Sequence, residues 1–248
     1  MYERGWRRYG VIALFLGPSV IGLTAFTLLP ILSSLGLSFT DWDLLRPPAF
    51  VGVSNYRHLL GDPEFWRTLR NTVTFLVGYV PLVLTTGLLV AVLLNASIPF
   101  RQVFRAMYFV PVVTSWVAVA LVWKWLFNPV YGLINSAIGT LGITGPAWLF
   151  DPNWAMVAVI LTSVWKDTGF VMVIMLAGLQ GIPREYYEAA SIDGASRPQG
   201  LFHITIPLLA PTLIFCLSIS LIGAFQVFDQ VYVMTEGGPA GATMVLVE

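Results

Sequence analysis

The chain has 248 residues, of which only 10% are charged while 57% are apolar. Thirteen basic and thirteen acidic side chains cancel to a net charge of zero, which excludes an acidic or basic tail and gives no electrostatic sign of a nucleic-acid partner. A mean hydropathy of +0.79 excludes an ordinary soluble domain, because so few charges cannot cover that much apolar surface. The single cysteine, Cys216, excludes an internal disulfide and a cysteine-based metal cluster.

Uncharged runs dominate the chain. Tyr9 to Thr40, Asn71 to Phe100 and Pro198 to Phe228 each lack Asp, Glu, Lys and Arg. Each exceeds the roughly 20 residues that cross a hydrocarbon core, where the backbone must satisfy its own hydrogen bonds as a helix. Ala106 to Trp123 is a further uncharged run ending at Lys124, and Trp154 to Leu179 is apolar apart from Lys166 and Asp167. The expected architecture is an all-α integral membrane bundle of about five transmembrane helices, a single domain over 1–248. Its spans fall at about 11–36, 72–95, 105–127, 154–179 and 207–233. The first run follows Arg4, Arg7 and Arg8 but is far longer than the roughly 7–15 apolar residues of a cleaved secretory signal. It reads as an uncleaved anchor.

Trp125 to Phe150 is also uncharged, yet Pro129, Gly132, Gly139, Gly142, Gly145 and Pro146 punctuate it. An external loop with a short interfacial helix is expected there, with Trp148 and Trp154 at headgroup level. Arg4, Arg7, Arg8, Arg101, Arg105, Arg184 and Arg197 then share one side, against Arg46, Arg57, Arg67 and Arg70 on the other, with Lys124 at an outer helix end. That bias favours a cytoplasmic N-terminus. The loop 40–70 mixes Trp42, Phe50, Tyr56, Phe65 and Trp66 with charges, which suits anchoring at a membrane interface and contact with another protein outside the membrane equally well.

Between the fourth and fifth spans, residues 180–206 form the most polar stretch after residue 70. Pro183 suits a first helical position, Glu185 the positive end of that helix, and Gly194 a left-handed stop. Arg184 and Glu188 are four apart and can meet on one face. A second short helix is expected from Ser196 to Ile204, before Pro207 opens the next span. Ala189 and Ala190 leave one side of the first helix smooth enough for another protein, although a plain turn between spans would read the same way.

Glu188-Ala189-Ala190, Gly194 four residues later, and Ile204-Thr205-Ile206-Pro207 after nine more residues resemble the EAA loop of ABC importer permeases. Ile206 stands where that pattern has Leu. Asp193-Gly194-Ala195, Phe202-His203-Ile204, Phe50 to Tyr56 and Gly237-Gly238-Pro239 resemble the carbohydrate branch of this family (maltose, multiple-sugar and glycerol-3-phosphate permeases). The resemblance implies a type I ABC importer permease fold in a bacterial inner membrane, normally with six spans, so that a sixth span is missing here. It implies that Glu188, Ala189, Ala190, Asp193, Gly194, Ile204 and Pro207 couple the chain to an ATP-binding subunit present in two copies. A second permease subunit, an external solute-binding protein, a sugar substrate and membrane lipid complete the implied partners, with no nucleic acid, no metal and no cofactor. The sequence has no GxxxxGK[ST] loop, so ATP would be hydrolysed by the partner and not by this chain.

Lys166 and Asp167 fall in the middle of the fourth span, where a charge costs about 2.5–3.5 kcal/mol on insertion scales. Adjacent residues point apart on a helix, so each needs its own partner. Ser163, Lys166, Asp167 and Phe170 are candidates for a substrate path, with helix–helix pairing an equal alternative. By the resemblance, Ser220, Gln226 and Asp229 on the span after the loop join them. His203 suits a solvated or partner-facing place. Three other readings stay open: import of a phosphorylated polyol that meets Lys166, a membrane enzyme, and a channel.

Overall fold

A computed structural model describes residues 6–96 and 98–247, so Arg4 lies outside the described residues. The contacts divide the chain into two units, residues 1–65 and 66–248.

In the first unit, α1 (Trp6–Leu23) continues through a π-helical turn, Thr24–Leu28, into α2 (Leu29–Leu37). Together they give an apolar helix, Tyr9–Leu37, whose most apolar window buries none of its residues. A two-stranded antiparallel ribbon follows, β1 (Thr40–Asp41) with β2 (Ala49–Phe50), Thr40 opposite Phe50. α3 (Ser54–Gly61) closes back on the ribbon through Asn55, whose side chain donates to the carbonyls of Ser38 and Thr40, both at 3.0 Å.

The second unit is built around α4 (Pro63–Asn95) and α8 (Pro152–Gln180). α4 buries one stripe at three- and four-residue spacing: Thr72, Phe75, Tyr79, Val83, Gly87, Ala91 and Leu94. α8 is buried on almost every face, as a central helix must be. Glycines let these two rods approach closely. A Cβ at Gly78 would strike Ile160, and one at Gly87 would strike Val171. Residue numbers rise together along both helices at these contacts, so α4 and α8 run parallel.

α5 (Arg101–Val113) and α6 (Trp116–Leu126) lie between them in sequence. The expected continuous span at 105–127 is instead two helices bent by 101° at Thr114–Ser115. Pro111 in the last turn of α5 cannot donate, and the Thr114 hydroxyl bonds back to the Val110 carbonyl at 3.0 Å, so the helix ends there. α5 runs antiparallel to α8, with Tyr108 and Val112 against Gly169 and Lys166. Parallel α4 and α8 require that the chain returns just once between them, which leaves Trp125–Phe150 on one side. This segment holds α7 (Leu133–Gly139) and a 3-10 turn, Trp148–Phe150. Trp148 does not face headgroups. It is buried, its indole N–H donates to Asn135 Oδ1 at 2.7 Å, and Phe127 and Trp154 pack on its ring.

After α8 come α9 (Glu185–Ile192), α10 (Arg197–Gly200), a π turn (Leu201–Thr205) and α11 (Ile206–Leu208). α12 (Ala210–Phe225) leaves this segment at a 69° bend. The run expected at 207–233 is broken a second time at Gln226–Phe228, and α13 (Asp229–Thr235) follows.

Candidate substrate cavity and coupling loop

α4, α8 and α12 enclose a cavity of about 360 Å³ in the second unit, with the start of α6 and the α12–α13 break as its remaining walls. Asp167, Phe170, Ser220, Gln226 and Asp229 line it. The Tyr79 hydroxyl donates to Asp167 Oδ2 at 2.8 Å, fixing the carboxylate from the facing helix. Phe75 stacks on Tyr79 at 5.2 Å, and Trp116, Phe170 and Phe228 add aromatic surface. The lining holds two carboxylates and two amides, Gln226 and Gln230, but no Lys or Arg. Such a mixture of flat apolar faces and hydrogen-bonding groups fits a polyhydroxylated ring.

Two candidates lie outside this lining. Ser163 is fully buried, donates to the Val159 carbonyl at 2.8 Å, and accepts from Gln230 Nε2 at 3.4 Å. It stands behind the cavity wall. Lys166 is 5% exposed, and its ammonium donates to the Val112 carbonyl at 3.1 Å and sits 4.7 Å from the Trp116 ring centroid. The lysine thus takes up a carbonyl freed by the end of α5 and braces the 101° break, where a cation is favoured by the helix dipole. Lys166 and Asp167 have separate partners, as neighbours on a helix must.

Tyr79, Trp116 and Gln230 are not singled out by the sequence. Phe75 and Tyr79, four apart on the buried stripe of α4, were a local signal. Trp116 and Gln230 reach the cavity only because helices break beside them.

At the other end of α8, the loop 180–206 forms a compact handle. α9 begins two residues later than Pro183 suggests: Glu185 is its first residue, Arg184 the N-cap, and Pro183 precedes both. Its far end is a Schellman turn. The Ala195 N–H donates to the Ala190 carbonyl at 2.9 Å and the Gly194 N–H to the Ser191 carbonyl at 3.2 Å, with Gly194 at φ +81°. Ser196 then caps α10 in a box with Gln199, whose Oε1 accepts from the Ser196 N–H at 2.7 Å. The Tyr187 and Thr205 hydroxyls hydrogen-bond at 2.9 Å, tying α9 to the segment leading into α12. Among the described residues, Arg184 and Glu188 form no ion pair.

The two alanines part company. Ala189 is exposed beside Glu188 and Asp193, whereas Ala190 turns inward to line a cavity of about 570 Å³ with Asn95, Leu179 and Leu201. The outward face therefore carries Glu188, Ala189, Tyr186 and Ile192, the last 86% exposed. Ile204 is half-buried and Pro207 exposed, both just before the 69° bend. The His203 ring Nδ1 lies 3.1 Å from the Gln199 carbonyl.

Residues 83–248 match the family model described as a binding-protein-dependent transport system inner membrane component. The chain is 41% identical to the lactose transport system permease protein LacF of Rhizobium radiobacter, covering 94% of this chain and 79% of that one. It is 39% identical to the trehalose/maltose transport system permease protein MalF of Thermococcus litoralis, over 91% of this chain and 77% of the other. A crystal structure of a bacterial alginate ABC transporter with its periplasmic protein superposes with a TM-score of 0.82 at 24% identity, over 98% of this chain and 82% of that one. That likeness concerns the fold. With the family model covering most of its length and relatives of this identity, the chain belongs to the family of binding-protein-dependent transport system inner membrane components.

Proposed function

We propose that this chain is the transmembrane permease subunit of an ATP-driven importer of neutral carbohydrate. It couples through residues 183–207 to a separate ATP-hydrolysing subunit, two copies of which serve the importer. A second permease subunit completes the path, and an external solute-binding protein delivers the sugar. The chain contributes no ATP-hydrolysing loop of its own. The substrates in the relatives' names, lactose and trehalose or maltose, support carbohydrate as the class.

The observation that carries this reading is the cavity lining: Asp167, Asp229, Gln226, Gln230 and Ser220 against Phe75, Tyr79, Trp116 and Phe170. Carboxylates and amides accept and donate to sugar hydroxyls, and ring faces cover the C–H surface. A phosphorylated polyol would meet two carboxylates and no cation, because Lys166 is committed to the Val112 carbonyl and Trp116. The orientation rests on geometry too. The C-terminal ends of α4 and α8 and the N-terminal end of α5 lie together, so Arg101, Arg105, Arg184 and Arg197 gather at the end that carries the handle. The positive-inside bias supports a cytoplasmic side for that end, the side also expected for the N-terminus.

The test is reconstitution of the chain with its ATPase, second permease and binding protein in proteoliposomes. ATP-dependent uptake of neutral mono- and disaccharides is expected, reduced by Asp167→Asn and Phe170→Ala while ATPase association persists. Uptake confined to phosphorylated polyols, or uptake that needs no ATPase subunit, would overturn the proposal.

A further inference from the structure

The ribbon after the first apolar helix presents two leucines where a polar turn is the rule. Leu44 and Leu45 sit at its tip, 76% and 91% exposed. Leu44 holds φ +66°, a left-handed conformation that L side chains avoid and turns normally give to Gly or Asn. Asp43 enforces this shape: its Oδ1 accepts from the Leu45 N–H at 3.0 Å and the Arg46 N–H at 2.8 Å. The Arg46 Nε lies 4.0 Å from Asp43 Oδ2, so the carboxylate at the tip is paired and hydrogen-bonded. Trp42 flanks the leucines, 43% exposed.

The tip is fastened to the helix before it. The Thr40 hydroxyl donates to the Leu37 carbonyl at 2.8 Å, the Ser38 and Tyr56 hydroxyls hydrogen-bond at 2.6 Å, and Asn55 clamps both Ser38 and Thr40. The ribbon is therefore an extension of the apolar helix Tyr9–Leu37, whose 29 residues make a rod of about 43 Å. A hydrocarbon core is about 30 Å thick and the bilayer about 40–45 Å with its headgroups, so a rod of this length ends among the headgroups. From Thr40 to Leu44 the chain reaches at most about 13 Å. A helix end at the headgroups and a short reach keep the tip near them.

We propose that the Trp42–Arg46 tip is a lipid-binding finger, with Leu44 and Leu45 inserted at the headgroup–acyl boundary, Trp42 at headgroup level and the Arg46 guanidinium turned to lipid phosphate. Its occupant is the bilayer surface next to the first apolar helix. The chemistry is that of interfacial anchors: small apolar insertion, an indole and a cation with an apolar stem. The competing occupant of the same two leucines is the external solute-binding protein.

The experiment places a single NBD fluorophore at Leu45→Cys, with Leu44→Cys as a second site and Ala49→Cys as the control on the ribbon stem. The native Cys216 is buried and is left in place, its labelling measured in the unsubstituted chain. The assembled importer is reconstituted in phosphatidylethanolamine/phosphatidylglycerol nanodiscs without binding protein. NBD at positions 44 and 45 is expected to be blue-shifted and quenched by lipids spin-labelled at the headgroup or upper acyl chain, and protected from aqueous iodide. The Ala49 control is expected to show iodide quenching. Water-like emission with full iodide quenching at 44 and 45 would overturn the proposal, whether or not adding the binding protein then protects them.

Discussion

Gly194 and Gly200 offer a matched pair of substitutions in the proposed coupling loop. A Cβ built at either position meets nothing within 4 Å, so neither replacement by Ala introduces a clash. The two differ in backbone. Gly194 has φ +81° and closes the Schellman turn of α9, whereas Gly200 has φ −58° at the end of α10. Ala at Gly194 therefore carries the left-handed penalty of about 1–2 kcal/mol, while Ala at Gly200 gains helix propensity of up to about 1 kcal/mol. α9 buries no residue, so the penalty is met by unwinding its last turn and not by unfolding the bundle. A cost of that size shifts the population of the intact turn by a factor of about 5–30. ATPase-subunit association, measured by co-purification titration, and ATP-driven uptake are expected to fall by a comparable factor in Gly194→Ala. Gly194→Asn should fall less, because Asn tolerates the left-handed region. Gly200→Ala should match the parent, and thermal unfolding should be unchanged in all three. Equal association for Gly194→Ala and Gly200→Ala would refute the assignment of Gly194's backbone as the coupling requirement.

Other substitutions test the packing and the cavity. A Cβ at Gly169 would overlap the Tyr108 carbonyl oxygen, a backbone atom that cannot step aside, so Gly169→Ala should lower stability by the roughly 1–3 kcal/mol of overpacking, read as a lower thermal midpoint. An unchanged midpoint would mean that α5 and α8 are not locked there. Tyr79→Phe removes the donor that holds Asp167 at 2.8 Å; a hydrogen bond is worth about 0.5–1.5 kcal/mol net, so KM for uptake should rise by roughly two- to tenfold with ATPase association intact. Lys166→Met leaves the Val112 carbonyl without its donor and should cost about 1–3 kcal/mol of stability while the substrate profile stays the same. Loss of one substrate class at unaltered stability would instead return Lys166 to the cavity.

The parts of the chain that sequence exposes best are those set by neighbours a few residues away. The turn at Gly194 and the helix from Ser196 onward depend on local backbone chemistry, and both stand where that chemistry puts them. The side-chain sorting does not. Ala189 and Ala190 are equivalent in sequence, and only the ends of α4 and α8 decide that Ala190 faces inward. Ser163, Asp167 and Phe170 share a helical stripe, yet Gln230, 67 positions away, covers Ser163. Lys166 finds its acceptor 54 positions earlier, at a break that hydropathy cannot reveal because the two halves together read as one apolar run. Trp148 looks like an interfacial residue until Asn135 supplies the acceptor that allows its indole to be buried.

These long-range placements give the cavity two kinds of wall. α4 and α8 form the fixed one: glycine contacts at Gly78 and Gly87 bring the rods together, and the Tyr79–Asp167 hydrogen bond crosses between them. The same two helices continue for roughly 18–24 Å, at 1.5 Å per residue, to Leu179 and Asn95 at the coupling end. The opposite wall is jointed. Trp116 opens α6 just after the 101° break, and Gln226 to Gln230 span the break between α12 and α13. The base of α12 is the 69° bend, reached from α9 through the Tyr187–Thr205 hydrogen bond. A force on the outward face of α9 thus meets a rigid pair of rods on one side and a bent helix leading to the polar wall on the other. Packed rods resist deformation while bends rotate, so the displacement goes into α12 and its glutamines. In the importer proposed above, the shape of the proposed sugar site would then change by Gln226 and Gln230 moving past a stationary Asp167.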